Sequence, residues 1–225
     1  MKLLDTTGDN TKLEKTNKGS EYRVAGLTLF PDDKLCPARH IAECAGPCLQ
    51  SAGRGAMSNV ISGRKAKAAF YHSDTAGFLD QLRKEITNFE KLCNKTGKKP
   101  AIRLNVLSDI QWERHGIPQE FPDVLFYDYT KISKRLGKTP SNYKLMFSYS
   151  GADKYQKHVK EALKTSVPMS VVFKGTLPET YSGRRVIDGD KSDLDNLFAG
   201  KVIVGLRAKG KAKTDTSKFI VVANT

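Results

Sequence analysis

The chain has 225 residues, 39% of them hydrophobic, with 38 Lys and Arg against 24 Asp and Glu for a formal charge of +14. That length and apolar content support one sizeable core, and they exclude a wholly disordered chain or a mini-protein that needs disulfide staples to fold. The basic excess predicts an acidic partner, with nucleic acid ahead of an anionic surface.

Met1 to Lys12 carry no apolar run of signal-peptide length, and no later segment reaches the roughly 18 apolar residues of a membrane span. A cytosolic protein without membrane contact is expected, so the cysteines should be thiols or metal ligands rather than disulfides. Residues 1–20 read as a polar N-terminal arm, and residues 21–225 as a single α/β domain with a cysteine-containing loop at 35–60. Tyr22 to Phe30 alternates loosely and reads as a strand. From Leu35 to Asn59, three cysteines accompany Pro37, Pro47, Gly46, Gly53 and Gly55, a composition that favours turns.

Asp74 to Cys93 carries Phe78, Leu79, Leu82, Ile86, Phe89 and Cys93 at helical spacing, with Asp74 as N-cap and Gly97 beyond the end. Short apolar runs follow at Ala101–Leu107, Val124–Tyr129, Tyr143–Tyr149, Pro168–Phe173, Arg185–Asp188 and Val202–Leu206. They read as buried strands. A helix over Asp153–Thr165 with Tyr155, Val159 and Leu163 on one stripe gives the βαβ pattern of a mainly parallel sheet. The fold class expected is α/β, a partial or irregular βα barrel. An open doubly wound sheet has the same spacing.

Cys36, Cys44 and Cys48 form a C-x7-C-x3-C set in a loop where thiolates can converge without opposing regular structure. Three soft ligands suit zinc or an iron–sulfur cluster, and isolated buried thiols are the alternative. His40 is a candidate fourth ligand, while Cys93 falls on the apolar stripe of its helix and reads as core. Arg54 and Arg64 follow the loop. Near the end, Arg207, Lys209, Lys211 and Lys213 alternate with small residues, a spacing that on an extended strand puts all four cations on one face to meet phosphates.

Acids collect at expected strand ends. Asp109, Asp188 and Asp190 are candidate catalytic or magnesium-binding carboxylates, although Ser108, Asp109 and Asp193 also suit helix caps. Trp112, Tyr127 and Tyr129 lie near these acids and are candidates for stacking on exposed bases. No phosphate-binding glycine loop, dinucleotide fingerprint, H-E-x-x-H or nucleophile elbow is present.

Three cysteines with an open fourth position on a partial barrel resemble, in layout, the radical SAM enzymes, which implies an iron–sulfur cluster. The gaps of seven and three depart from that superfamily's C-x3-C-x2-C, Pro47 stands where an aromatic is usual, and no Gly-Gly-acid run follows on the second strand. A second resemblance spans nearly the whole chain. Thr7-Gly-Asp-Asn-Thr-Lys-Leu, Cys36-Pro, Cys44-Ala, Cys48-Leu, Ala52-Gly-Arg-Gly, Arg103-Leu-Asn-Val-Leu-Ser-Asp, Phe126-Tyr-Asp-Tyr-Thr-Lys, Val186-Ile-Asp-Gly-Asp and the Val204 to Lys213 block resemble the phage family called gene product 88. This implies a viral protein made in the host bacterial cytoplasm, and no particular reaction. The expectation is a phage nucleic-acid-binding protein, DNA foremost, gripping phosphates with some base stacking. The alternatives are a metal- or iron–sulfur-dependent enzyme acting on nucleic acid, radical-SAM-like or a nuclease, and an inhibitor of an acidic host protein.

Overall fold

The computed structural model describes residues 1–6 and 20–223. Its elements in chain order are β1 (Leu4–Asp5), β2 (Tyr22–Leu27), α1 (Ser58–Ser73), α2 (Thr75–Lys95), β3 (Lys99–Arg103), α3 (Ile117–Glu120), β4 (Leu125–Thr130), β5 (Tyr143–Ser148), α4 (Gln156–Leu163), β6 (Met169–Lys174), β7 (Thr180–Tyr181), β8 (Arg184–Asp188), α5 (Asp193–Leu197), β9 (Ile203–Arg207) and β10 (Ile220–Val222). The strands form one 10-stranded sheet in the order β1-β2-β3-β4-β5-β6-β9-β8-β7, with β10 against β6. Among the described residues only the edge pairs β1–β2 and β7–β8 are antiparallel. The sheet is open, so the irregular barrel expected from spacing takes its unclosed form.

Strands β2 to β6 lie side by side in chain order, and their connections run over one face. There Phe78, Leu82, Ile86 and Phe89 of α2 and Val159 of α4 pack with Ile102, Phe126, Leu145 and Phe147 of the sheet. The step from β8 to β9 runs the opposite way across the sheet. A right-handed crossover therefore has to pass over the other face, and Leu194 and Leu197 of α5 do pack there on Ala101, Tyr127, Met146 and Val204.

Helix α2 forms as its periodicity predicts. Asp74 accepts from the backbone N–H of Gly77 at 2.8 Å, the buried stripe runs to Cys93, and Gly97 at φ +63° turns the chain out. Each apolar side chain on that stripe contributes about 1.5–3 kcal/mol on burial. Helix α1 carries no such stripe. Ala68 is its one fully covered residue, which is why the spacing gives no sign of it.

The N-terminal arm needs correction at its start. Leu3 and Leu4 are buried, β1 pairs with β2, and the Glu85 carboxylate accepts from the backbone N–H groups of Leu3 and Leu4 at 2.7–3.0 Å. Two adjacent leucines outweigh the polar residues after them. The rest of the arm and its Thr7 to Leu13 block lie outside the described residues.

Candidate functional site at the carboxyl ends of the strands

A parallel sheet offers its ligands the carboxyl ends of its strands, and the loops that meet there are those after β2, β3, β4, β5 and β9. A buried polar network holds them. Asn105, just past β3, donates its backbone N–H to Asp128 at 2.6 Å and its side-chain amide to the same carboxylate at 3.0 Å. Its side-chain oxygen accepts from Ser108, Ile110 and Trp112 at 2.8–3.1 Å. Tyr143 donates to Asp128 at 2.6 Å. Arg135 grips Glu113 with two bonds of 2.8 Å and Asp109 with one of 2.9 Å.

Burial pushes the Asp128 carboxyl up to about 7, against the downward pull of the Tyr143 hydroxyl and of Arg103. An unfolded Asp ionises near pH 3.9. Between those values the native state keeps a proton that the unfolded chain has lost, so this contribution to stability is complete below about pH 4 and lost as pH rises to about 7. Asp128→Asn is expected to remove that part of the pH dependence. Urea unfolding of both proteins from pH 4 to 8 measures it, and parallel curves would contradict it.

Asp109 is therefore not a free carboxylate. Its oxygens accept from Thr130 at 2.8 Å and from the Lys131 backbone at 2.7 Å in addition to Arg135, and its pKa is raised by burial with Arg135 opposing. Nor does it cap a helix: Ser108 bonds Asn105, and the N-cap of α5 is Ser192. Asp193 is instead buried, accepting from Arg103 at 3.0 Å and from Tyr129 at 2.8 Å. Asp188 and Asp190 accept from Arg207, and Asp190 from Lys209 at 2.6 Å. Among the described residues no three His, Cys, Asp or Glu side chains are grouped to hold one ion, and Asp109, Asp188 and Asp190 are each engaged by an arginine or lysine of the fold. Gly189 between Asp188 and Asp190 is required for space, since a β-carbon there would lie 2.3 Å from Val204.

The basic run is also rearranged. Strand β9 ends at Arg207, Gly210 takes φ +55°, and Gly210–Lys213 curls into a short 3-10 turn. Arg207 and Lys209 face the two aspartates, while Lys211 and Lys213 are exposed. The single strand face with four cations does not exist. Instead the turn packs on the cysteine loop, where a β-carbon on Gly210 would come within 3.0 Å of Ala52. Arg54 next to that contact is exposed, and Arg64 is half-buried and donates to the Gly55 carbonyl at 3.0 Å, stitching the loop rather than facing outward.

The stacking expectation fails at two positions. Trp112 and Tyr127 are both 0% exposed, Trp112 against Phe78 and Tyr71 and Tyr127 beneath α5. Tyr129 is held by Asp193, with the Arg103 guanidinium 4.4 Å from its ring centre. Trp112 and Tyr127 therefore present no free ring to a base.

The cysteines share one loop, but among the described residues they are not part of a group of three His, Cys, Asp or Glu placed to hold a metal ion. Cys36, Cys44 and Cys48 are free, partly exposed thiols. Cys36 donates to the Leu107 carbonyl at 3.2 Å, which ties the loop to the end of β3. Burial pushes the Cys36 thiol up, with Asp109 and the other two sulfurs adding to it, and burial raises Cys48 as well. All three act on the Lys131 ammonium, which donates to Ser148 at 3.0 Å and lies 4.5 Å from the Phe219 ring centre. His40 is exposed and bonded to Asp33 at 2.7 Å, and Cys93 is buried in α2.

One cluster escaped the sequence reading. Lys157, Lys160 and Lys164 follow one another along the exposed side of α4, opposite the buried Val159 and Ala162, with Lys154 in the turn before it. Lys134 stands alongside, since it and Lys157 both act on Glu161. The signal was the i, i+3, i+7 spacing of the three lysines.

A family model described as Gene product 88 matches residues 1–223. No curated protein and no solved structure matches the chain.

Proposed function

We propose that this chain, which belongs to the gene product 88 family, is a phage nucleic-acid-binding protein that holds its partner through phosphate contacts. The observation that carries this reading is the lysine face of α4: Lys154, Lys157, Lys160 and Lys164 beside Lys134, all exposed and none in an ion pair with a described carboxylate. The net charge of +14 adds long-range attraction of the same sign. Arg54, Lys211 and Lys213 at the carboxyl ends of the strands form a second set of contacts. Because Trp112 and Tyr127 are buried, recognition on this reading is of the backbone rather than of bases.

No helix among the described residues is long and apolar enough to cross a membrane. The host cytoplasm, where phage nucleic acid resides, is the compartment this function requires.

Charge reversal tests the assignment. The triple variant Lys157→Glu, Lys160→Glu, Lys164→Glu is expected to weaken binding of a random-sequence DNA duplex by at least about tenfold at low salt and to flatten the salt dependence by roughly 0.9 per lost contact. The pair Lys211→Glu, Lys213→Glu should have the smaller effect. Fluorescence anisotropy with labelled duplex, single-stranded DNA and RNA measures each. Unchanged affinity in the triple variant overturns the assignment, as does equal competition by polyglutamate and DNA, which would indicate an acidic protein partner.

A further inference from the structure

We propose that Phe198 stacks on an unpaired base of the nucleic acid held by the α4 lysines, which makes a single strand the preferred partner and rests on the phosphate-binding reading of that face. Phe198 directly follows the last residue of α5 and is 58% exposed, the one aromatic among the exposed large hydrophobic side chains of the described residues. It lines a groove of about 320 Å3 at the amino ends of β5, β6 and β9, together with Pro140, Val167, Pro168, Leu197 and Lys144. The backbone beneath the ring is held in place. Leu194 and Leu197 are buried against the sheet, Asp193 accepts from Arg103, and Gly200 at φ +74° turns the chain back toward β9.

Charge and position say what covers the ring. None of the residues lining the groove is acidic, Lys144 among them is exposed, and the exposed Lys138 and Lys201 are chain neighbours of lining residues. Helix α4 runs from the carboxyl end of β5 to the amino end of β6, and residues 166–168, which form one wall of the groove, begin two residues after Lys164. The row Lys157, Lys160, Lys164 therefore leads to the groove, and a phosphate backbone lying along it is carried toward Phe198. A base in a duplex keeps its faces inside the stack, whereas an unpaired base can be splayed onto an aromatic ring. Stacking reads no base edge, so recognition stays as indifferent to sequence as the phosphate contacts are.

Anisotropy with a labelled oligothymidine, a duplex of equal length and an abasic strand of equal length tests this on the full-length protein. Phe198→Ala, at an exposed position, is expected to weaken oligothymidine binding about tenfold and to change the duplex and abasic affinities by less than about twofold. The triple variant Lys157→Glu, Lys160→Glu, Lys164→Glu should weaken all three, so the two readings fail separately. Losses confined to the lysine variant overturn stacking and leave phosphate binding standing; a lysine variant that binds all three normally overturns the phosphate reading. Trp112 is the chain's single tryptophan and is buried, so Phe198→Trp places a reporter in the groove. It should bind oligothymidine as the wild type does and lose indole emission on binding. Unchanged emission at saturating oligothymidine, an equal loss of affinity for the abasic strand in Phe198→Ala, or an equal emission change with polyglutamate, which would mark a groove for acidic peptides, overturns the proposal.

Discussion

Arg135→Met is expected to destabilise the protein by about 3–5 kcal/mol, because it leaves buried carboxylates without their cation. The Arg135 side chain is 3% exposed, and it faces Asp109 at 9% and Glu113 at 15%. Methionine matches much of the arginine stem, so the loss reports charge and hydrogen bonds rather than volume. For a chain of this size the fall in Tm is roughly 10 °C. Lysine at the same place keeps the charge but not the two-pronged grip on Glu113, and Arg135→Lys should fall between. Thermal unfolding followed by circular dichroism measures all three, and a change below about 1 kcal/mol, the worth of a surface pair, would contradict the network.

Asp193→Ala is the second large effect expected, again about 3–5 kcal/mol. Asp193 is 1% exposed and meets Arg103, whose side chain is 10% exposed, so its removal takes the carboxylate from a buried guanidinium and from the Tyr129 hydroxyl that donates to it. The physical cause is distinct from that at Arg135. This pair fastens the five-residue α5 to the sheet, and a helix so short has little stability of its own. Asp193→Asn preserves a hydrogen-bond acceptor and should cost less. Hydrogen exchange is expected to show faster exchange over α5 in the alanine variant, with β4 and β5 protected; uniform protection would show that α5 is held by Leu194 and Leu197 alone.

The strands were legible in the sequence because parallel strands covered on both faces read as continuous apolar runs; β4 to β6 lie where Val124–Tyr129, Tyr143–Tyr149 and Pro168–Phe173 place them, while β3 at Lys99–Arg103 starts and ends earlier than Ala101–Leu107. Helix α2 was legible through five buried residues on one stripe. The order β6-β9-β8 was not, since nothing local marks a return across the sheet. At the site, the cysteine loop could be read from its prolines and glycines, but its meeting with Lys131 is a product of tertiary folding. Trp112, Tyr127 and Asp109 misled because residue type does not reveal exposure: the same aromatic serves a core or a base, and the same acid an ion pair or a metal. Arg207 to Lys213 misled through Gly210, whose left-handed backbone ends the extension that alternating lysines suggested.

These residues locate two independent features on one sheet, a lysine face on α4 and a three-thiol loop at the strand ends. The salt dependence of DNA affinity tests the first, on which the functional reading depends, most directly. With about four phosphates neutralised, log affinity against log salt should fall with a slope of about −3.6, and affinity should drop on the order of 10²-fold between 50 and 200 mM salt. A flat line, or no binding at the lower salt, would contradict a function in phosphate recognition.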